Sequence, residues 1–430
     1  MPRFNAYTVR KLSEAKSEIL YFNWKAGDVR LLRKTFRLVL IFAIILSCVL
    51  CTNEVSADDT NEDELINGFH NEAVIESTGG KLPRVSAGAA IVMDTESGRI
   101  LYEKNAFTRR SIASTTKIMT AIVALENGND EEDVLISKRA AAIGGSTVNL
   151  IEGKTYKLKD LMYAMMLRSG NDAAIAIAEY IGGSVELFAE MMNRKAAEIG
   201  AVNTNFVTPH GLDDPQHYST PYDLALITQY ALKNEKFCRI VGTRYSVFNG
   251  RDITNTNEML GLYPWADGVK TGYTGQAGRC LVTSATRDNW KIISIVLGCP
   301  TRSIRAQNSK ILLDYAFDNY KNYDYLKRGQ QLQEVNIHKG KVGKVSLYSD
   351  VDITIPLKAD EVNKVKIVYN IPDKVEAPLI RNTKVGTVDF VLEGKVLATT
   401  DLKNIETVKR KDFYYYFDSI FKTWAGLVHN

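Results

Sequence analysis

Alternation of apolar and polar positions marks the start of the first domain. The stretch "VSAGAAIVMDTESGRILYEKNA", from Val85 onward, has an apolar run, a Glu-Ser-Gly turn and an alternating run, which predicts a β-hairpin. A helical pattern extends from Ser111 to about Gly200 and is broken in "LRSGNDAA", where a glycine interrupts strong periodicity. Thr220-Pro221 predicts the start of another helix, because a capping residue precedes a proline at the first helical position.

Three apolar segments joined by short turns follow in "WADGVKTGYTGQAGRCLVTSATRDNWKIISIVLGCP", and "IRAQNSKILLDYAFDNY" predicts a closing helix. Strands at both ends of this region with helices between them predict an α+β domain over residues 83–325, in which helices cover one antiparallel sheet. Residues 326–404 alternate at period two between turn signals, which predicts a small all-β sandwich, interpreted as a spacer or docking module.

The tail, residues 405–430, predicts an amphipathic helix. Its apolar stripe has spacings of 4, 3, 4 and 3 and comprises Phe413, Phe417, Ile420, Trp424 and Leu427. Basic residues that suit anionic lipid stand beside it: Lys409, Arg410, Lys411 and Lys422. The pattern favours a helix lying in the plane of a membrane surface, and the alternative is a helix docked on its own protein.

Residues 1–57 are interpreted as a leader. They carry nine Lys/Arg and four Asp/Glu, followed by an apolar run from Leu38 to Cys51 and small residues at Ser56 and Ala57. This form predicts a secretory signal cleaved after Ala57, and the run is short for a spanning helix, which needs about 20 residues. The alternative is an uncleaved N-terminal membrane anchor. The true start of translation is expected near Val29. Residues 58–82, acidic and polar, are interpreted as a linker.

Composition excludes some classes of function. The formal net charge is +4, and the basic leader accounts for it, so the near-neutral remainder argues against binding to nucleic acid. Beyond the leader, Cys238, Cys280 and Cys299 form no disulfide framework and have no metal spacing; they are interpreted as buried small hydrophobes, with a Cys280–Cys299 pair left open. The five histidines are scattered without ligand spacing, so neither a metal nor a cofactor is expected.

Candidate chemistry resides in three short motifs. Ser114-Thr-Thr-Lys117 stands at a helix start, Ser169-Gly-Asn171 at the helical break, and Lys270-Thr271-Gly272 in a predicted strand. Each motif alone is common, and Ser-x-x-Lys can be a simple helix cap. Their occurrence together, in this order and local structure, is typical of penicillin-binding proteins and class A β-lactamases.

The motifs resemble those of the D-alanyl-D-alanine carboxypeptidases, which are low-molecular-mass serine penicillin-binding proteins (peptidase S11 type). "ASTTKIMTA", "LRSGNDAA", "PHGLDDPQHYSTPYDLA" and "DGVKTGYTGQAGRCLVTSA" carry the likeness, which covers roughly residues 84–322 and continues weakly beyond. The resemblance implies a β-sandwich second domain, a membrane-anchoring tail, and export to the outer face of the cytoplasmic membrane. It also implies covalent binding of β-lactams and a role in cell wall biogenesis and cell shape.

The chemistry assigns a role to each motif. Ser114 needs an adjacent base to become a nucleophile, and Lys117 lies one helical turn away on the same face. A lysine acts as base only when neutral, which burial and the positive charge of Lys270 favour. Ser169 is expected to pass the proton to the leaving amine, and Asn171 to hold Lys117 and the substrate peptide. The oxyanion is expected between the backbone N–H groups of Ser114 and Tyr273.

The substrate of this family ends in a free carboxylate. The resemblance implies that Arg305 binds this carboxylate with help from Thr271, because a guanidinium suits a carboxylate. Lys270, Gly272 and Tyr273 are expected beside it in the substrate-binding site. Arg302 is the alternative candidate for the role of Arg305. His210 and Asp223 lie in a loop like the one that borders the family's site. His210 is interpreted as a structural hydrogen-bonding residue rather than a general base.

Three functions remain open at this point. The first is a carboxypeptidase that removes the terminal D-Ala from peptidoglycan stem peptides through an acyl-enzyme on Ser114. The second is a class A-like β-lactamase, which relies on a Glu-activated water; the "HGLDD" loop shows no clear counterpart of that Glu. A transpeptidase would use the same acyl-enzyme. The third is a non-catalytic wall-binding protein, which the three intact motifs disfavour.

Overall fold

The structure is a computed structural model that describes residues 82–428, with side chains described as far as residue 424. The predicted leader, residues 1–57, and almost all of the linker, residues 58–82, lie outside the described residues.

Helices alternate with strands along the first domain. A 3₁₀ turn, Ala113–Thr116, leads into the first helix. The α-helices are α1 Lys117–Asn127, α2 Lys138–Ala142, α3 Leu158–Leu167, α4 Asn171–Gly182, α5 Val185–Ile199, α6 Pro221–Ala231, α7 Glu235–Gly242, α8 Met259–Leu262, α9 Arg302–Asn319 and α10 Phe413–Val428.

The strands fall into two groups. Those of the first domain are β1 Ala89–Asp94, β2 Ile100–Lys104, β3 Asp133–Leu135, β4 Thr155–Lys157, β5 Tyr245–Phe248, β6 Arg251–Thr254, β7 Ala266–Thr274, β8 Gly278–Arg287 and β9 Trp290–Cys299. Those that follow are β10 Lys321–Leu326, β11 Gln331–His338, β12 Lys344–Tyr348, β13 Ile353–Leu357, β14 Lys366–Asn370, β15 Lys374–Glu376, β16 Lys384–Leu392 and β17 Lys395–Asn404.

The main sheet is antiparallel, with the order β2-β1-β9-β8-β7. Helices cover both faces. Ile91 and Met93 of β1 face a core shared with α1, α3 and α4, whereas Ala90 and Val92 face a second core shared with α9. Burial on both faces explains why β1 reads as a continuous apolar run. The predicted α+β fold class is confirmed.

The predicted helical region from Ser111 to Gly200 is not continuous. β3 and β4 pair antiparallel within it, and a second hairpin, β5–β6, follows α7. Each strand has only three or four residues. Strands this short are stabilised by pairing rather than by a hydrophobic period of their own, so the local pattern does not reveal them.

The second domain is β-rich. A six-stranded sheet, β14-β16-β17-β12-β11-β15, shares one core with the two-stranded sheet β10-β13, as Leu326, Ile355 and Phe390 illustrate. β10 pairs with β13, and the predicted boundary at 325/326 falls at the end of this strand. A largely buried ion pair, Arg99 to Glu361 at 2.8 Å, joins the first hairpin to this domain.

The tail forms the predicted helix, α10. Large apolar side chains on it are exposed in the structure: Phe413, Phe417, Ile420, Phe421 and Trp424. None of the helices within residues 82–428 has the length and apolar character needed to span a bilayer.

Candidate active site

The nucleophile candidate lies in a strained turn at the start of α1. Ala113 has a φ of +47°, a region that residues with a side chain rarely adopt. Gly211 of the "HGLDD" loop packs against this turn so closely that a Cβ there would lie 2.0 Å from the carbonyl oxygen of Ala113. A strained backbone held by close packing is a common property of active sites.

Lys117 is fully buried and has three polar neighbours. Its Nζ lies 2.9 Å from Ser114 Oγ, 2.7 Å from Asn171 Oδ1 and 3.0 Å from the carbonyl oxygen of His210. The amide of Asn171 is oriented by its Nδ2, which donates to the carbonyl of Gly144 at 2.9 Å. Two of the three neighbours are therefore oxygens that only accept hydrogen bonds.

This arrangement matches a neutral amine. A neutral lysine has two N–H groups and one lone pair, so both hydrogens go to Asn171 and His210 and the lone pair faces the hydroxyl of Ser114. Burial holds the pKa of Lys117 well below its usual value, and the charge of Lys270 lowers it further, whereas Asp172 acts in the opposite direction. Electrostatics thus favours the neutral form of Lys117, and the geometry places its Nζ within hydrogen-bond distance of Ser114 Oγ.

Ser169 and Asn171 are brought to the site by the break between α3 and α4. Ser169 has a φ of +61°, and its buried Oγ has no hydrogen-bond partner among the described residues. Gly170 is required for space rather than for an unusual φ, because a Cβ there would lie 2.9 Å from Asp172 Oδ1. The proton-relay role of Ser169 stays a prediction.

β7 brings the third motif against the nucleophile. Lys270 and Thr271 are almost fully buried, and Lys270 Nζ donates to the carbonyl of Thr271 at 3.1 Å. A Cβ on Gly272 would lie 2.9 Å from the backbone nitrogen of Ser114, so only glycine permits this approach. Tyr273 follows in the strand, and Arg279 of β8 lies over its ring at 4.6 Å. The edge of β7 therefore lies beside the Ser114 amide, as the predicted oxyanion site requires.

Arg305 occupies a different environment from the one expected. Its side chain is 0% exposed and is held by Glu258, with Nη2 at 2.7 and 2.8 Å from the carboxylate oxygens and Nε at 3.0 Å. An intramolecular carboxylate thus already compensates the charge assigned to substrate binding. Arg302, the alternative candidate for binding the substrate carboxylate, is also largely buried and is the first residue of α9. Direct binding of the substrate carboxylate by Arg305 stays a prediction.

Two histidines of the "PHGLDDPQH" loop are neutral structural groups. Burial lowers the pKa of His210 to about 3 and that of His217 to about 4. His210 Nδ1 accepts from the backbone of Leu212, as its predicted structural role suggests. His217 Nδ1 accepts from the backbone of Val207, so its Nε2 carries the proton and donates to Thr116 Oγ1 at 2.8 Å.

Several residues around the site have no sequence signal of comparable strength. Asp172 accepts hydrogen bonds from the backbone of Val148 and Leu150, which fixes the segment beside Asn171. The sequence signal for Asp172 is limited to its position directly after the second motif. Thr256 and Glu258, which contact Thr271 and Arg305, lie in a short irregular segment without periodicity.

Two further predictions from the sequence concern the cysteines and metal binding. Cys238, Cys280 and Cys299 are free thiols, and burial raises the pKa of Cys280 to about 12, as expected of an inert buried residue. Among residues 82–428, His, Cys, Asp and Glu side chains form no cluster able to hold a metal ion.

Comparison with known proteins gives the family. A model of the S11 peptidases, described as D-alanyl-D-alanine carboxypeptidase, matches residues 76–301, and a model of the penicillin-binding protein 5 C-terminal domain matches residues 320–410. The chain belongs to the D-alanyl-D-alanine carboxypeptidase family. The resemblance stated from the motifs is confirmed.

Relatives in this family match the chain over most of its length. The carboxypeptidase DacF of Bacillus subtilis is 35% identical, over 79% of this chain and 90% of its own. DacA of Escherichia coli K12 is 31% identical, over 89% and 97%. The crystal structure of penicillin-binding protein 5 from Haemophilus influenzae aligns with a TM-score of 0.70 at 33% identity, over 77% of this chain and all of that one.

Proposed function

We propose that this carboxypeptidase family member removes the terminal D-Ala from peptidoglycan stem peptides through an acyl-enzyme. Ser114 Oγ gives its proton to Lys117 Nζ and attacks the carbonyl between the two D-Ala residues. The oxyanion is stabilised by the backbone N–H groups of Ser114 and Tyr273. The C–N bond then breaks, and the leaving D-Ala amine takes up the proton by way of Ser169. Water hydrolyses the remaining ester and restores Ser114.

One observation carries this proposal: Lys117 Nζ stands 2.9 Å from Ser114 Oγ with both of its acceptors already in place. An ammonium would direct a third hydrogen at Ser114, whereas the neutral amine presents a lone pair there. Since burial and the charge of Lys270 hold the pKa of Lys117 well below its usual value, the neutral form is more accessible than in an exposed lysine. Lys270, also buried, supplies part of the electrostatic cause.

The same geometry predicts covalent binding of penicillin. A β-lactam presents a strained amide to Ser114, and the acyl-enzyme persists if water attacks it slowly. We expect the protein beginning after Ala57 to release D-Ala from a diacylated tripeptide ending in D-Ala-D-Ala. A labelled penicillin should remain on Ser114 in the wild-type protein and not in Ser114→Ala, as mass spectrometry of the tryptic peptide would show.

Other outcomes distinguish the alternatives. Rapid turnover of penicillin would favour a β-lactamase, and transfer of the acyl group to an added amine would favour a transpeptidase. Binding to wall material with neither D-Ala release nor an adduct would indicate a non-catalytic wall-binding protein and contradict the proposal.

The exposed apolar side chains of α10, with Phe417 60% and Trp424 63% exposed, support a proposed peripheral contact with a membrane surface. The outer face of the cytoplasmic membrane, reached by export, is part of the same proposal. We expect the chain beginning after Ala57 to sediment with vesicles that contain phosphatidylglycerol. The chain ending at Val408 should stay in the supernatant, and so should a variant with Phe417, Ile420 and Trp424 changed to serine. Equal sedimentation of the shortened chain would contradict the role of this helix.

A further inference from the structure

A short segment before α8, Asn255–Glu258 ("NTNE"), contacts three parts of the site. The backbone N–H of Thr256 donates to the carbonyl of Leu167, two residues before Ser169, at 3.0 Å. The hydroxyl of Thr256 lies 2.8 Å from that of Thr271. Glu258 holds Arg305. The segment therefore reaches both residues assigned to the substrate carboxylate.

The segment is braced by its own asparagines. Asn255 Nδ2 donates to the carbonyls of Val241 and Thr243, and Asn255 Oδ1 accepts from the backbone of Asn257. These bonds fix the backbone. Thr256 and Glu258 thus act from a defined position.

Hydrogen-bond polarity gives Thr256 a function. A carboxylate only accepts hydrogen bonds, so a substrate carboxylate at Thr271 requires the proton of the Thr271 hydroxyl. Thr256 must then be the donor toward Thr271, and that bond leaves the Thr271 proton directed at the substrate. A chain of hydroxyls in this direction also strengthens the outer bond.

Charge gives Glu258 the opposite function. Glu258 lies two residues after Thr256, whose hydroxyl contacts Thr271, so one short segment contacts both Thr271 and Arg305. Burial raises the pKa of Cys280, which lies opposite Gly272 in the sheet, and the charge of Arg305 acts against this rise. A substrate carboxylate that approaches Arg305 would be attracted by its guanidinium and repelled by the Glu258 carboxylate that contacts it.

On this basis, and resting on the proposed carboxypeptidase function, we infer that the Asn255–Glu258 segment sets the strength of carboxylate recognition. Thr256 strengthens it by donating to Thr271, and Glu258 weakens it by neutralising Arg305. Both are positioning residues, because each acts through another side chain.

The test compares a diacylated tripeptide ending in D-Ala-D-Ala with its C-terminal amide, using the ratio of kcat/KM for the two as the readout. A loss of fold or of general activity lowers both values and leaves the ratio unchanged. In Thr256→Val the ratio should fall about fivefold to twentyfold, as expected for a weakened hydrogen bond to a charged group. Thr254→Val, an exposed position on β6, is the matched control and should leave the ratio unchanged.

Glu258→Gln keeps the shape and one acceptor while it removes the negative charge beside Arg305. The ratio should rise about threefold to thirtyfold, because removing the carboxylate of Glu258 strengthens the attraction between Arg305 and the substrate carboxylate. Glu190→Gln, at an exposed surface pair, is the control. If Glu258→Gln does not fold, as a melting curve would show, the ratio of Thr256→Val decides.

Opposite shifts of the ratio in the two variants support the inference. Shifts in the same direction, or an unchanged ratio in Thr256→Val, with an active wild-type protein, would overturn the inference and leave the carboxypeptidase function intact. A wild-type protein that releases no D-Ala from either peptide would overturn both.

Discussion

Replacement of Lys117 by methionine should reduce the rate of penicillin acylation about 10²–10⁴-fold, the usual contribution of a positioned general base. Methionine has nearly the length of lysine and suits a fully buried site, so the change removes the base with little loss of packing. The measurement is the second-order rate constant of acylation, with folding checked by circular dichroism.

The pH profile sharpens this test. Acylation in the wild-type protein requires neutral Lys117, so its rate should fall as the pH drops through the lowered pKa of this lysine. Because the pKa values of His210 and His217 lie near 3 and 4, neither titrates in the range from pH 5 to 8. Any acylation that Lys117→Met retains should lack the acidic limb. A wild-type rate in Lys117→Met, with the same limb, would show that another group is the base.

Gly272→Ala should slow acylation about 10²–10³-fold, comparable with the loss of one oxyanion donor. The new Cβ would stand 2.9 Å from the Ser114 nitrogen and 3.0 Å from Ala113 Cβ, so the 3₁₀ turn that contains Ser114 must move. Movement of this turn displaces both Oγ and the N–H that receives the oxyanion. The same overpacking should lower the free energy of unfolding by about 1–3 kcal/mol.

The turn between β7 and β8 contains a glycine that serves as a matched control for this substitution. Gly275 lies three residues further along, and a Cβ there would have open space around it. Gly275→Ala should therefore acylate at the wild-type rate. If Gly272→Ala did the same, close approach of β7 to Ser114 would not be a requirement of the reaction.

The ion pair of Arg305 could not be predicted from the sequence motifs. Its position after the last strand supported a partner for the substrate carboxylate. The fold also places Glu258, which lies 47 residues earlier in the chain, against its guanidinium. No local pattern records this pairing, because β7, β8 and β9 lie between the two residues in the chain.

The sequence by itself determined the elements and the participants. Apolar and alternating runs between turns predicted β1 and β2 and the three strands β7, β8 and β9. Helical periodicity predicted the helices around them, because these patterns follow from which side chains each element buries. The three motifs identified Ser114, Lys117 and Asn171 because a nucleophile, a base and an orienting amide are distinct chemical types. Only the tertiary structure decided how they act. The contacts of Lys117 with Asn171 and His210 span 54 and 93 residues, and burial at that meeting point is what lowers the pKa of the lysine.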